Sequence, residues 1–310
     1  MTTSNRLPAT FRRLGALTLA AAATLCAHGT ARAETLYGLS NTNQLITFDS
    51  ASPMNGTAVQ ITGLKRVNER LLGLDARPAT GLLYALSKDG NLYTVDAGSG
   101  QASFVASLGA PLSGDNFGVD FNPVPDLGQT NPSLRVISNS GQNLAINVNV
   151  NGSAAGTVVE NGRINGVKPQ PTIVSVAYAN NDRNPMTGTT LYGIDTKGDG
   201  LYTIVPATGA ATFVGDLGVD SIQVSAFDIS YTGAAFASLT GEDGYSGLYS
   251  INLTTGQAVS IGAFGIGGVV LQAPVVGLTA APVPEPSSIA LAAVGLLGVI
   301  GLHARRRQRT

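Results

Sequence analysis

The sequence predicts an all-β chain: a five-bladed β-propeller of four-stranded antiparallel blades, the first blade completed by the C-terminal strand. Three observations predict it. A four-phrase refrain recurs five times at steps of roughly 45 to 57 residues, the range in which repeats build propellers or solenoids. Gly supplies 39 of 310 residues and charged residues only 12%, where about 25% is usual, a balance that suits short strands and tight turns. Finally, the refrain is split: its N-terminal copy lacks a first phrase, and its C-terminal copy has nothing else.

Each phrase reads as one strand of about five residues. The first is apolar with a small residue: Leu72-Gly73-Leu74-Asp75, Phe117-Gly118-Val119-Asp120, Val174-Ser175-Val176-Ala177, Ser225-Ala226-Phe227-Asp228 and Val276-Gly277-Leu278-Thr279. The second begins at Leu36-Tyr37, Leu83-Tyr84, Leu134-Arg135, Leu191-Tyr192 and Ala235-Phe236, and the third at Leu45-Ile46, Leu92-Tyr93, Leu144-Ala145, Leu201-Tyr202 and Leu248-Tyr249. The fourth spans Ala58–Ile61, Ala102–Val105, Gly156–Val159, Ala211–Val214 and Gln257–Ser260. Turn residues separate them, as in Lys88-Asp89-Gly90, Gly98-Ser99-Gly100 and Thr254-Thr255-Gly256.

Because Glu34 leads almost directly into Leu36-Tyr37, the missing first strand is expected from Val275–Thr279. That pairing closes the ring and removes the open edges that a solenoid, the competing architecture, would have to cap. Twenty strands result. The third copy carries Gly/Asn/Pro-rich insertions at 121–133 and 149–168, which leave its outer strand undefined.

The two ends read as targeting segments. Residues 1–33 combine Arg6, Arg12 and Arg13 with the apolar run Leu14–Ala27 and the small-x-small site Ala31-Arg32-Ala33, so signal peptidase is expected to cut between Ala33 and Glu34. Cys26 raises a lipoprotein alternative, which Leu25, standing where a small residue is needed, disfavours. At the other end Pro284-Glu285-Pro286 precedes apolar Ser287–Leu302 and then Arg305-Arg306-Arg307-Gln308-Arg309. Sixteen helical residues would span about 24 Å, slightly short of a hydrocarbon core, with the basic cluster kept cytoplasmic. Their order and spacing closely resemble the PEP-CTERM sorting signal of Gram-negative bacteria. The resemblance implies processing by an exosortase in species that often make exopolysaccharide. The expected domains are therefore a signal peptide at 1–33, a propeller at 34–281 and a sorting signal at 282–310. The protein is expected to be anchored in the membrane through Ser287–Leu302 before processing and to reach the cell surface or extracellular space after it.

Removing the ends changes the chemistry. Residues 34–281 hold 10 Lys and Arg against 18 Asp and Glu, a net charge of −8, whereas the whole chain carries −1. Such a domain is ill suited to nucleic acid, whose phosphates require a basic face. It contains no Cys, His or Trp. Triads built on His or Cys and ordinary zinc sites are thereby excluded. Gly265-Ile266-Gly267-Gly268 has Val270 where the last glycine of a dinucleotide fingerprint belongs.

Phe117-Gly118-Val119-Asp120-Phe121-Asn122-Pro123, Leu134–Ser138, Gly141–Leu144, Ala177–Asp182 and Leu248–Asn252 together resemble a bacterial exported domain family of unknown function. The resemblance runs over roughly residues 35–280. It implies a propeller-like exported domain beside this sorting signal, and no reaction or substrate.

Candidate chemistry rests on oxygen ligands. Asp75, Asp120 and Asp228 share one aligned position on first strands, which line a propeller's axis. A ring of such carboxylates could bind a ligand, hold a Ca²⁺-type cation or shift its own pKa values. The plainer reading is that each ends its strand by bonding N–H groups of the next turn. Asp195–Gly200 resembles a calcium loop only in part, because Lys197 replaces a ligand and no Glu follows at the required spacing, so a hairpin turn is expected. Asn180-Asn181-Asp182 and Glu242-Asp243-Gly244 read likewise. Lys65–Arg70 is the one basic cluster in the domain: a solvated loop, or a contact for an anionic polysaccharide. The expected function is non-enzymatic, binding or structural, at the surface or in an exopolysaccharide matrix, with no cofactor other than Ca²⁺ as a candidate. The alternative is a carbohydrate-active enzyme using Asp carboxylates at the channel.

Overall fold

In the computed structural model, the structure describes residues 33–282 apart from 128–132, 150–153, 167–170, 182–183, 185 and 223. The predicted signal peptide up to Arg32, and Pro284, Glu285, Pro286 and the apolar Ser287–Leu302, lie outside the described residues. Among those described, no helix is long and apolar enough to cross a membrane.

Five antiparallel sheets are arranged as blades. Blade one comprises Val275–Ala280, Thr35–Ser40, Gln44–Asp49 and Ser52–Gln60, from the axis outward. Blade two is Leu71–Ala76, Leu83–Ser87, Asn91–Val95 and Ala102–Ser107, and blade three is Phe117–Asn122, Ser133–Ser138, Asn143–Asn147 and Val158–Glu160. Blade four is Ile173–Tyr178, Leu191–Asp195, Gly200–Ile204 and Ala210–Asp216, and blade five is Ser225–Ile229, Ala235–Thr240, Ser246–Ile251 and Ala258–Ala263. The ring closes as expected: Leu36 pairs with Ala280, Tyr37 with Thr279, Gly38 with Leu278 and Leu39 with Gly277.

Three short strands add to the expected twenty. Asn165–Gly166 joins the outer edge of blade four, Gly265–Ile266 that of blade one, and Val269–Val270 pairs with the latter. The outer strand of blade three, undefined by sequence, is Val158–Glu160, and its first insertion contains the short helix Pro123–Leu127.

These additions follow one rule. Every connector between blades runs across the next blade's outer strand near its start. Thr62 donates to Gly100 O and accepts from Ala102 N, Gly109 donates to Gly156 O, Asn165 to Gly209 O, and Leu217 O accepts from Ala258 N. This explains the Thr-Gly signal more fully than a turn does. A Cβ on Gly209 (φ +71°) would lie 2.2 Å from Arg163 O, and one on Gly256 (φ +83°) 2.4 Å from Gly215 O. Only glycine tolerates both that backbone and that approach.

The small residue of the first phrase has a related cause at the axis. A Cβ on Gly118 would lie 2.5 Å from Val176 N, and one on Gly277 would lie 2.9 Å from Leu74 N. Glycine lets the inner strands close around the axis, where only a cavity of about 10 Å³ remains, the room of a single water. Apolar clusters fill the spaces between blades: Tyr84, Leu86, Phe117 and Phe121 lie between blades two and three, and Ile194, Leu201, Phe227 and Ile229 between four and five. The inner strands all run toward one face of the disc. The connectors and the turns between second and third strands lie on the other.

Candidate functional site

Asp75, Asp120 and Asp228 meet on the axis at the face where the inner strands end. One oxygen from each lies within 4.8 Å of the others. All three are buried, at 4%, 1% and 4% exposure. They do accept backbone N–H groups, but not from a following turn as the sequence suggests. Asp75 accepts from Phe121 N of the next blade at 2.7 Å, Asp120 from Tyr178 N at 2.7 Å, and Asp228 from Ala280 N. Thr279 occupies the aligned position in blade one and accepts from Ala76 N at 3.1 Å. Each residue of this column thus fastens its blade to the residue one step further along in the next. Blade four has Ala177 there, so the N–H of Ile229 turns to its own neighbour Asp228, and Asn181 Nδ2 donates to Ile229 O instead.

Five of the six carboxylate oxygens accept hydrogen bonds, since Asp75 also takes Ala76 N and the Thr279 hydroxyl. Removal from water and mutual repulsion dominate even so. Burial, then the charge of Asp228, holds Asp75 well above the usual carboxylate range, and burial followed by the charges of Asp75 and Asp228 does the same to Asp120. Burial pushes Asp228 up to about 6 against its N–H donors. The cluster therefore retains protons at pH values where ordinary carboxylates have lost them. A Ca²⁺ ion would take six to eight oxygens, and this cluster supplies three carboxylates, most of whose oxygens already accept hydrogen bonds.

The remaining oxygen-rich segments are turns where they are described. Asp195 Oδ1 accepts Lys197 N and Gly198 N in the hairpin before Gly200–Ile204, and Asp243 Oδ1 accepts Tyr245 N. Asp182 lies outside the described residues. At the predicted cleavage site Ala33 is exposed, while Glu34 is tied into the propeller by its N–H to Ser50 Oγ and by its carboxylate to Ser230 and Thr232.

On the opposite face the connector from Gln60 to Leu71 holds a carboxylate that sequence reasoning missed. Glu69 is 4% exposed and accepts from Ser87 Oγ, Asn91 Nδ2 (2.7 Å), Tyr93 Oη (2.8 Å) and Arg66 N (3.2 Å). Burial alone would raise its pKa, but these four donors outweigh it and hold it below its ordinary value. Tyr93, buried beside this carboxylate, is pushed up to about 12. The signal available in the sequence was one acidic residue inside an otherwise basic run. Lys65, Arg66 and Arg70 project outward beside concavities of about 510 Å³ and 340 Å³.

A crystal structure of a protein of unknown function from Bacteroides thetaiotaomicron is similar at TM-score 0.46 and 14% identity, over 74% of this chain and 58% of that one. An auxiliary nutrient binding protein from the same organism gives 0.39 at 12% identity, over 65% and 55% of the two chains. Regucalcin, a calcium-binding protein from Agrobacterium tumefaciens, gives 0.40 at 15% identity, over 76% and 74%. The chain thus spans little more than half the length of the first two. No curated protein matches it. Residues 282–307 match the PEP-CTERM protein-sorting motif, which marks an exported, cell-surface substrate of an exosortase. Residues 32–278 match the model described as Domain of unknown function (DUF4394), and the chain belongs to that family.

Proposed function

We propose that this exported propeller is a non-enzymatic component of the cell surface or its matrix, acting by binding or scaffolding linked to exopolysaccharide. In this reading signal peptidase cuts between Ala33 and Glu34, the segment Ser287–Leu302 holds the chain in the membrane, and exosortase processing at Pro284-Glu285-Pro286 follows. One observation carries the non-enzymatic part. The carboxylates that a glycoside hydrolase would need are buried, with one oxygen of each within 4.8 Å of the others, and five of their six oxygens accept hydrogen bonds, most of them from neighbouring blades. Glycoside hydrolysis needs two carboxyls roughly 5 to 10 Å apart on either side of a bound sugar. Three buried carboxyls whose oxygens lie within 4.8 Å of one another do not flank a bound sugar in that way.

The test is glycan-array binding by the full chain in mild detergent, with and without Ca²⁺, beside a reducing-end assay on every glycan that binds. Binding without release of reducing ends is expected. Hydrolysis that disappears in Asp120→Asn would overturn the reading in favour of a carbohydrate-active enzyme.

A further inference from the structure

The basic connector is not an ordinary solvated loop. Its backbone is gripped from both flanking blades. Asn43 of blade one (φ +61°) donates Nδ2 to Glu69 O at 2.7 Å and accepts Leu71 N at 2.9 Å. Blade two supplies Ser87, Asn91 and Tyr93 to the Glu69 carboxylate, and the Tyr93 hydroxyl also accepts Lys65 N at 3.1 Å. Arg66 and Glu69 exchange main-chain and carboxylate bonds across the turn between them. The one acidic side chain of the run is thus drawn inward, while Lys65, Arg66 and Arg70 are held outward on a preorganised backbone. Preorganisation lowers the entropic cost of binding.

The surroundings suit a sugar polymer. Arg66 stands between the two concavities, the larger of which is also lined by Asn41, Thr42, Gln60, Thr62 and Arg70. Amides, hydroxyls and guanidinium groups match the oxygen pattern of a glycan. Lys65 Nζ lies over the ring of Phe104, 4.1 Å from its centre, and this ring is 46% exposed, so a cation and a partly exposed aromatic ring stand together at the edge of the connector. The opposing charges are surface ones: Arg66 meets Asp89 at 3.3 Å with its own side chain 74% exposed, and Lys88 meets Asp115 at 3.6 Å. Exposed pairs of this kind are weak and exchange readily for a ligand's anion.

We propose that the Lys65–Arg70 connector, with Phe104, is a binding site for an acidic polysaccharide whose carboxylates or sulfates meet Arg66 and Arg70. This rests on the reading of the domain as a matrix binder and names its ligand class and its site. The full chain would be titrated against a polyuronate, dextran sulfate and neutral dextran at several salt concentrations. Arg66→Ala/Arg70→Ala would be run beside Lys197→Ala, a distant exposed cation, with melting temperature recorded for each. The expected result is binding to at least one acidic polymer and not to neutral dextran, weakened by salt. The double variant should bind at least tenfold more weakly with its melting temperature kept, and Lys197→Ala should bind as before. The polyuronate and dextran sulfate arms distinguish carboxylate from sulfate. Binding of acidic polymers that the double variant retains would overturn this site while leaving the matrix-binding reading intact. Equal binding to neutral dextran would overturn recognition by charge, and binding to no polymer would overturn both. Should the double variant melt early, Arg66→Lys/Arg70→Lys keeps the charge and must restore binding to within a few-fold.

Discussion

Asp120 and Glu69 are both buried carboxylates, 1% and 4% exposed, on opposite faces of one disc. Glu69 sits alone among four donors, three of them side chains, and its pKa is depressed. Asp120 accepts one backbone N–H and faces two further carboxylates, and its pKa is raised. Burial is unfavourable to the charge in both. Donor supply outweighs burial at Glu69, whereas at Asp120 burial, reinforced by the charges of Asp75 and Asp228, outweighs the single N–H. The difference teaches that an acidic column visible in sequence can be a fastening, while a single acid hidden in a basic run can be what shapes an exposed surface.

The two centres depend on pH with opposite sign. A carboxyl whose pKa is raised on folding contributes stability that is complete below its unfolded value, about 3.9, and lost as pH rises through its folded value. For Asp228 that folded value is about 6. Glu69 contributes above its unfolded value, about 4.3, and loses its contribution only as pH falls through its depressed folded value. The hub therefore weakens the fold as pH rises above about 4, and loss of the Glu69 bonds weakens it as pH falls below about 4.3.

The largest effect should come from breaking the hub itself. Deleting residues 274–281 removes the strand paired to Thr35–Ser40, together with Thr279 and the N–H of Ala280 that Asp75 and Asp228 bind. Loss of cooperative melting, or oligomerisation seen by light scattering, is expected, and a monomer with unchanged melting temperature would refute ring closure. Next, Glu69→Ala should cost roughly 3 kcal/mol by urea unfolding at pH 7, because it strands the buried polar groups of Ser87, Asn91 and Tyr93. Gly118→Ala should cost about 1 to 3 kcal/mol, since the new Cβ meets backbone at 2.5 Å, whereas Gly98→Ala, 3.6 Å from its nearest neighbour, should be close to neutral. Asp120→Asn should perturb the packing little, because its amide oxygen can still accept Tyr178 N. It should stabilise the fold, and by more at pH 8 than at pH 5. Chelation by EDTA should leave both proteins unaltered; a cation held by the three carboxylates would make both treatments destabilising.

Much of the architecture was legible because each phrase carries its own physical constraint. Small residues such as Gly118 and Gly277 permit the axial approach, Leu-Tyr pairs fill the spaces between blades, and Gly209 and Gly256 require glycine where connectors cross. The split refrain located the closing strand. Added strands such as Asn165–Gly166 could not be read, because they depend on where a connector lands and not on periodicity. The aligned position of Asp75, Asp120 and Asp228 was readable, but their partners were not. Phe121 N, Tyr178 N and Ala280 N lie on neighbouring blades, 46, 58 and 52 residues away in sequence. Glu69 escaped notice because its donors come from the adjacent blade's second and third strands.

The most direct test of the account is the melting temperature of the full chain from pH 5 to pH 8, measured side by side with Asp120→Asn. A hub of buried, mutually repelling carboxyls predicts that the wild-type melting temperature falls across this range and that the substitution flattens the fall. A wild-type profile that rises with pH, or a variant that keeps the full slope, would contradict it.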